Sequence, residues 1–150
     1  MGKYTAFDVA CYIVNSCIDR ERPISNLQLQ KILYYVQAAF LIDGEKLFSD
    51  KISAWKYGPV VEDVYRYFKK YVNGPITDRM QFADVARIDD NDRITIDAVV
   101  RAKSAYSAFD LVSATHREEP WRIAVLNNKT YIDENDIIEY FLMHRERIYQ

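Results

Sequence analysis

The sequence predicts a mainly α-helical protein, a single compact helical domain of about six helices over residues 1–150, with at most a short β element near residues 51–57. Three observations predict it. Apolar residues recur at helical spacing in several windows. Capping residues stand before four of those windows, at Thr5, Ser25, Ser107 and Asp133. Only Ile52–Tyr57 alternates with the period of two that marks an extended strand. A chain of 150 residues, 49% hydrophobic and 28% charged, is globular and large enough to bury a core without disulfides.

The first helix is expected from Ala6 to about Arg20, capped by Thr5 with Asp8 three residues later. Ala6, Ala10, Ile13, Val14, Cys17 and Ile18 form its buried face, and Asp8, Asn15 and Asp19 face water. Cys11 and Cys17 lie about 120° apart around that helix, so they read as two buried thiols in a reducing compartment. Asp19-Arg20-Glu21-Arg22-Pro23 is a polar connection closed by a proline.

The central stretch runs from Ile24 to Gly44. Ser25 and Gln28 have capping-box spacing, Ile24 and Leu29 staple spacing, and Gly44 suits a left-handed helix end. Leu29, Ile32, Leu33, Val36, Ala39 and Phe40 fill one arc. Leu27, Tyr34, Ala38, Leu41 and Ile42 fill the opposite one, with Gln28, Gln30, Lys31 and Gln37 along the seams. A helix apolar on both sides is either sandwiched between layers or offers one side to a partner. The sandwiched position is expected, and Tyr34, Ala38 and Leu41 are the partner surface in the other case.

Ile52–Tyr57 is expected as one strand without a clear partner, stopped by Gly58-Pro59. Pro59 then starts a helix to Val72, with Val60, Val61, Val64, Tyr65, Tyr67, Phe68, Tyr71 and Val72 on one arc. Over residues 75–93, Ile76, Phe82, Val85 and Ile88 pin a weakly patterned segment, and Asp89–Asp92 reads as solvated loop. Helices follow from about Ile96 to Tyr106, with Asp97 and Arg101 paired, and from Ala108 to about His116. Glu119-Pro120-Trp121 breaks the chain, and a last helix spans about residues 133–148, with Ile132 and Ile137 as staple and Ile137, Ile138, Phe141 and Ile148 buried.

Several function classes are disfavoured. A formal charge of −2 argues against non-specific nucleic-acid binding, which works by neutralising phosphates. His116 and His144 have no Cys or His at ligand spacing, so no metal or cofactor is expected. Gly58 is followed by Pro59, Glu62 and Asp63, which would repel a phosphate. No basic-then-apolar leader and no membrane-length apolar run is visible, so the expected location is cytoplasmic. Trp55-Lys56-Tyr57 interleaves aromatics with a cation as single-strand binders do, but lacks a wider basic groove. Trp55, Tyr57, Pro59 and Trp121 are therefore expected to be mostly buried.

The strongest enzymatic pattern is Thr115-His116-Arg117-Glu118-Glu119, a histidine among carboxylates with no identifiable nucleophile or oxyanion donor. A structural His116 is the expected reading, so no catalytic residue is assigned. An enzyme centred on His116 and Glu119 is the alternative, and a DNA-binding regulator comes third. The aromatic load, 12 Tyr, 7 Phe and 2 Trp, suits contact surfaces.

Three blocks carry a family resemblance. Asn26-Leu27-Gln28-Leu29-Gln30-Lys31-Ile32-Leu33-Tyr34-Tyr35 resembles "TNLKLQKLLYY", Ala54-Trp55-Lys56-Tyr57-Gly58-Pro59-Val60-Val61 resembles "AWxYGPV", and Leu111 with Thr115–Trp121 resembles "L..LTHxExPW". They occur in the order found in the SocA/GepA-like phage-associated family, also called the Panacea antitoxin domain, and span about Thr5 to Trp121. The resemblance implies a mostly helical bacterial or prophage-borne protein that neutralises a cognate protein toxin encoded nearby. The family pairs with many unrelated toxins, so delivery of the toxin to an AAA+ protease is a second implied mode rather than a necessary one. The family positions that map here are Lys31, Trp55, Gly58, Pro59, His116, Pro120 and Trp121, without an assigned chemical role.

Overall fold

The computed structural model describes residues 2–81 and 85–150. Among them the chain runs α1 (Ala6–Asp19), α2 (Asn26–Leu41), β1 (Ser53–Trp55), β2 (Gly58–Val60), α3 (Glu62–Phe68), α4 (Asp90–Lys103), α5 (Ala108–His116), α6 (Glu119–Leu126), α7 (Glu134–Met143) and α8 (Glu146–Tyr149). Single 3-10 turns lie at Lys69–Tyr71 and Val85–Arg87. The architecture is mainly α with one small two-stranded sheet. None of the described helices is long and apolar enough to cross a membrane.

The helix α2 is the axis of the fold. Ser25 Oγ accepts from the Gln28 N–H at 3.2 Å while Gln28 Oε1 accepts from the Ser25 N–H at 2.8 Å, completing the capping box. At the other end Gly44, at φ +82°, donates its N–H to Leu41 O. Every residue from Leu29 to Leu41 is buried, and α2 touches α1, α3, α4, α5, α7, α8 and β2. The arc of Tyr34, Ala38 and Leu41 is therefore not an open partner surface. The chain's own α7 covers it, with Phe141 edge-on to Tyr34 at 5.8 Å, because those rings bury more apolar area against each other than either could in water.

The helix α1 follows the sequence at its cap, where Thr5 accepts from the Asp8 N–H. Both cysteines are free and buried, and burial pushes the Cys11 thiol up to about 12 and the Cys17 thiol to about 11, as in unreactive thiols. Asn15 does not face water. It is buried and clasps the Met80 backbone, donating to the carbonyl at 2.9 Å and accepting from the N–H at 2.8 Å. A segment without regular structure thereby satisfies its main chain inside the core.

The strand at 51–57 does have a partner: the residues read as a helix start. β1 and β2 form an antiparallel hairpin with Ala54 opposite Pro59 and Trp55 opposite Gly58. At the Ala54–Pro59 pair both main chains point outward, Ala54 N–H to Thr130 O and Pro59 O to Lys31 Nζ. A proline costs the ladder nothing at such a position. Thr130–Ile132 covers the other edge of β1 through Ala54 N–H to Thr130 O and Ile132 N–H to Ile52 O. With residues 58–60 in the sheet, α3 begins only at Glu62 and ends at Phe68, and Val72, expected on its buried arc, is exposed at φ +57°.

Three further boundaries differ from expectation. The helix expected from Ile96 starts at Asp90, because acids in a first turn complement the helix dipole. Asp92 is then buried, accepting from Tyr4 Oη at 2.6 Å and pairing with Lys3, and Asp97 accepts from Tyr12 Oη rather than joining Arg101. Glu119-Pro120-Trp121 opens α6 instead of breaking the chain, since a first-turn proline lacks only an N–H that the helix leaves unpaired. The C-terminal helix ends at Met143, and α8 resumes after His144 with Ile148 buried. Ile76 and Ile88 are buried and Val85 packs on the core as expected; Phe82 lies outside the described residues.

Leu41→Glu should unfold the protein or lower its urea midpoint steeply, because it puts an unpaired carboxylate into a closed core. A variant with wild-type midpoint by circular dichroism would show the arc to be open instead.

Candidate functional site

The hairpin is held by polar groups from all three sequence blocks. From α2, Gln30 Oε1 accepts the Val61 N–H at 2.9 Å and Lys31 Nζ donates to Pro59 O at 3.0 Å. From the end of α5, His116 Nε2 lies 3.0 Å from Lys56 O; a carbonyl only accepts, so Nε2 carries the proton. From α6, Trp121 Nε1 donates to Trp55 O at 2.8 Å, and its ring stacks on His116 with centroids 4.0 Å apart. Lys31, Trp55, Gly58, Pro59, His116 and Trp121 thus converge in one place. Pro120, buried in the first turn of α6, sets the direction from which Trp121 arrives.

Gly58 is the point where these elements come closest. Its φ is +106°, and a Cβ there would stand 2.7 Å from Lys31 Cε and 2.8 Å from Thr115 Oγ1. Only glycine meets both the dihedral and the space. Lys31 is wholly buried, and that burial pulls its ammonium down to about 7. A charged and a neutral amine can both donate to Pro59 O.

Burial divides the expected residues. Pro59 is buried and Trp121 half-buried, but Trp55 is 36% and Tyr57 58% exposed. The carbonyls of Trp55, Lys56 and Pro59 are taken by Trp121, His116 and Lys31, while Tyr57 stands in the two-residue loop and the Trp55 ring rests on Tyr65. His116 and Glu119 do not form an acid–base pair. His116 spends Nε2 on a backbone carbonyl, Glu119 stands on the exposed first turn of α6, and no hydrogen bond or ion pair joins these two described residues. Among the described residues no group of three or more His, Cys, Asp or Glu could hold a metal ion.

Glu118, not Glu119, is the buried acid of the block, and sequence reasoning missed it. It accepts from Tyr35 Oη at 2.8 Å and from Arg147 Nε at 3.1 Å, tying α2 to α8. Burial raises its pKa against the opposing pull of those two partners. Tyr34, fully buried beside the Glu118 carboxylate, belongs to the same cluster, and burial with that neighbouring charge raises its pKa. Lys103 donates to Arg147 O and Gln150 O, with Nζ 4.2 Å from the Tyr35 ring centre. A cavity of about 500 Å³ opens beside Tyr35, Lys103, Glu118 and Arg147. Glu118 sits at a junction between helices, where no periodicity marks a residue as inward.

The family model for antitoxin SocA-like proteins with the Panacea domain matches residues 29–122, which include Gln30, Lys31, His116 and Trp121, the side chains that bind the hairpin backbone. A stretch of 68 residues is 44% identical to antitoxin SocA of Caulobacter vibrioides (strain NA1000 / CB15N). It covers 45% of this chain and 35% of that protein, so the match spans about a third of the relative's length. No solved structure matches significantly.

Two measurements test this arrangement. Gly58→Ala should lose about 2–4 kcal/mol of stability in urea, from backbone strain plus the forced shift of Lys31 and Thr115. A folded lysine pKa below the unfolded value means that the unfolded chain binds more protons above pH 7, so stability should rise with pH there. The rise attributable to Lys31 is about 1.4 kcal/mol per pH unit at most. It should be read between about pH 7 and 7.5, well short of about 8.5, where the two thiols of the unfolded chain titrate and pull stability the other way. Lys31→Met should flatten it; an unchanged slope would mean that Lys31 is charged and solvated.

Proposed function

This chain belongs to the antitoxin SocA-like, Panacea-domain family, and on that premise we propose that it is an antitoxin, a stoichiometric binder that neutralises a protein toxin encoded beside it. The match over residues 29–122 carries this reading, and it includes the four side chains that bind the hairpin backbone, Gln30, Lys31, His116 and Trp121. The physics is compatible with it. Gln30, Lys31, His116 and Trp121 each bind a main-chain group of the hairpin, which favours a rigid presenting surface over a reaction centre. Direct binding is the mode this supports, and delivery of the toxin to an AAA+ protease is the alternative that the experiment separates.

The neighbouring gene product should be toxic when expressed alone and tolerated when expressed with this protein. The two should co-purify, and rescue should require at least equimolar amounts. Loss of toxin that depends on a protease would favour delivery. Rescue at strongly substoichiometric levels, with the toxin modified and unbound, would favour an enzyme.

A further inference from the structure

The hairpin tip is built the reverse of a usual two-residue turn. Such turns favour small polar residues that tolerate positive φ, typically Asn-Gly. Here Trp55-Lys56-Tyr57-Gly58 puts two large aromatics at the surface and defers the glycine to the first residue of β2. The backbone around it is fixed at four points: Trp55 O, Lys56 O, Pro59 O and Val61 N–H each have a partner from α2, α5 or α6. The Trp55 ring is braced edge-on against Tyr65, with centroids 5.1 Å apart, and Lys56 Nζ lies 5.5 Å from the Tyr57 ring centre. The exposed rings therefore stand on a scaffold that has already lost its conformational freedom. That lowers the ordering cost of a contact, and Trp and Tyr are the residues that dominate binding energy at protein interfaces.

The charge around the tip narrows the occupant. Lys56 is at the apex, and Arg117 and Arg122 follow directly on the two rings, His116 and Trp121, that fasten the loop. All three cations are exposed; of the two acids in that stretch Glu119 is exposed and Glu118 is buried against Arg147, so the exposed charge of this stretch is positive on a chain of formal charge −2. A second copy meeting tip to tip would set Lys56 against Lys56, an unfavourable self-pairing for a two-fold contact. A nucleic-acid strand would need the wider basic groove that a chain of net negative charge lacks.

We propose that the aromatic hairpin tip, Trp55 and Tyr57 with Lys56 between them, is the docking surface for an apolar segment flanked by acidic residues on the protein partner. This rests on the antitoxin reading and adds where the contact lies and what chemistry it recognises. The interface has fixed rings at its centre and cations at its rim. The centre contributes mainly to the lifetime of the complex, and the rim to the association rate and its salt dependence.

The test uses the full chain and the purified product of the adjacent gene, with affinity and association rate measured by surface plasmon resonance at low and high salt. Tyr57→Ala should weaken binding roughly tenfold or more, as expected for a central aromatic. Lys56→Glu and Arg122→Glu should slow association and flatten its salt dependence. All three positions are exposed, so thermal midpoints should stay near wild type and a loss of affinity would not reflect unfolding. Wild-type binding with all three variants within twofold of it would overturn the docking surface while leaving the antitoxin reading intact. No binding by the wild type would overturn both. Two controls would also overturn the proposal: a Tyr57-dependent dimer by sedimentation, or Tyr57-dependent binding of a single-stranded oligonucleotide instead of the protein.

Discussion

Backbone that is buried without being helical has to find its hydrogen bonds on side chains, and in this molecule α2 supplies many of them. Gln37 accepts from the N–H groups of Leu47 and Phe48 and donates to Phe48 O. Gln30 takes the Val61 N–H and donates to Asn26, which in turn donates to Tyr65 O. Lys31 caps Pro59 O. A buried polar group left unmatched costs about 1–3 kcal/mol, so these residues decide where loop and hairpin can lie. A purely apolar α2 could pack against helices, but it would leave the 47–48 turn and the hairpin without partners.

The same constraint explains why a lysine is tolerated in the centre of the core. Holding Lys31 away from water is unfavourable enough to bring its pKa down to about 7. What is obtained is a donor long enough to reach across Gly58 to the Pro59 carbonyl, past a residue that must lack a side chain. Lys31, Gly58 and Thr115 therefore form one steric and polar unit although they lie in three separate sequence blocks. A change at any one of them alters the space or the hydrogen bonding of the other two.

A second cluster joins the two ends of the fold. Glu118 receives Tyr35 from α2 and Arg147 from α8, and Lys103 from α4 binds carbonyls of the C-terminal segment. Removing one member of a buried charged cluster is costlier than removing all of it, since the remaining charge keeps its desolvation without its partner. Glu118 thus fastens the α5–α6 junction to the C-terminal helix from one side, and His116 and Trp121 fasten it to the hairpin from the other.

Local chemistry was enough for the features that lie within one turn or one helix. The Thr5, Ser25 and Ser107 caps and the Gly44 stop depend on neighbours a few residues away, so the sequence by itself determined them, and the two-sided apolar pattern of α2 was legible although the helices that cover it were not. Other features depended on partners 28 to 83 residues distant, beyond the reach of periodicity. A helical wheel places Gln30, Lys31, Gln37 and Asn15 outward or on a seam, because it counts polarity and not the unmet carbonyls of other segments. It reads Gly58-Pro59-Val60 as a helix start, because the strand opposite and the lysine beneath are invisible to it. The partial exposure of Trp55, whose ring rests on Tyr65, and the fuller exposure of Tyr57 were settled by tertiary structure, because they depend on which elements pack beside the hairpin.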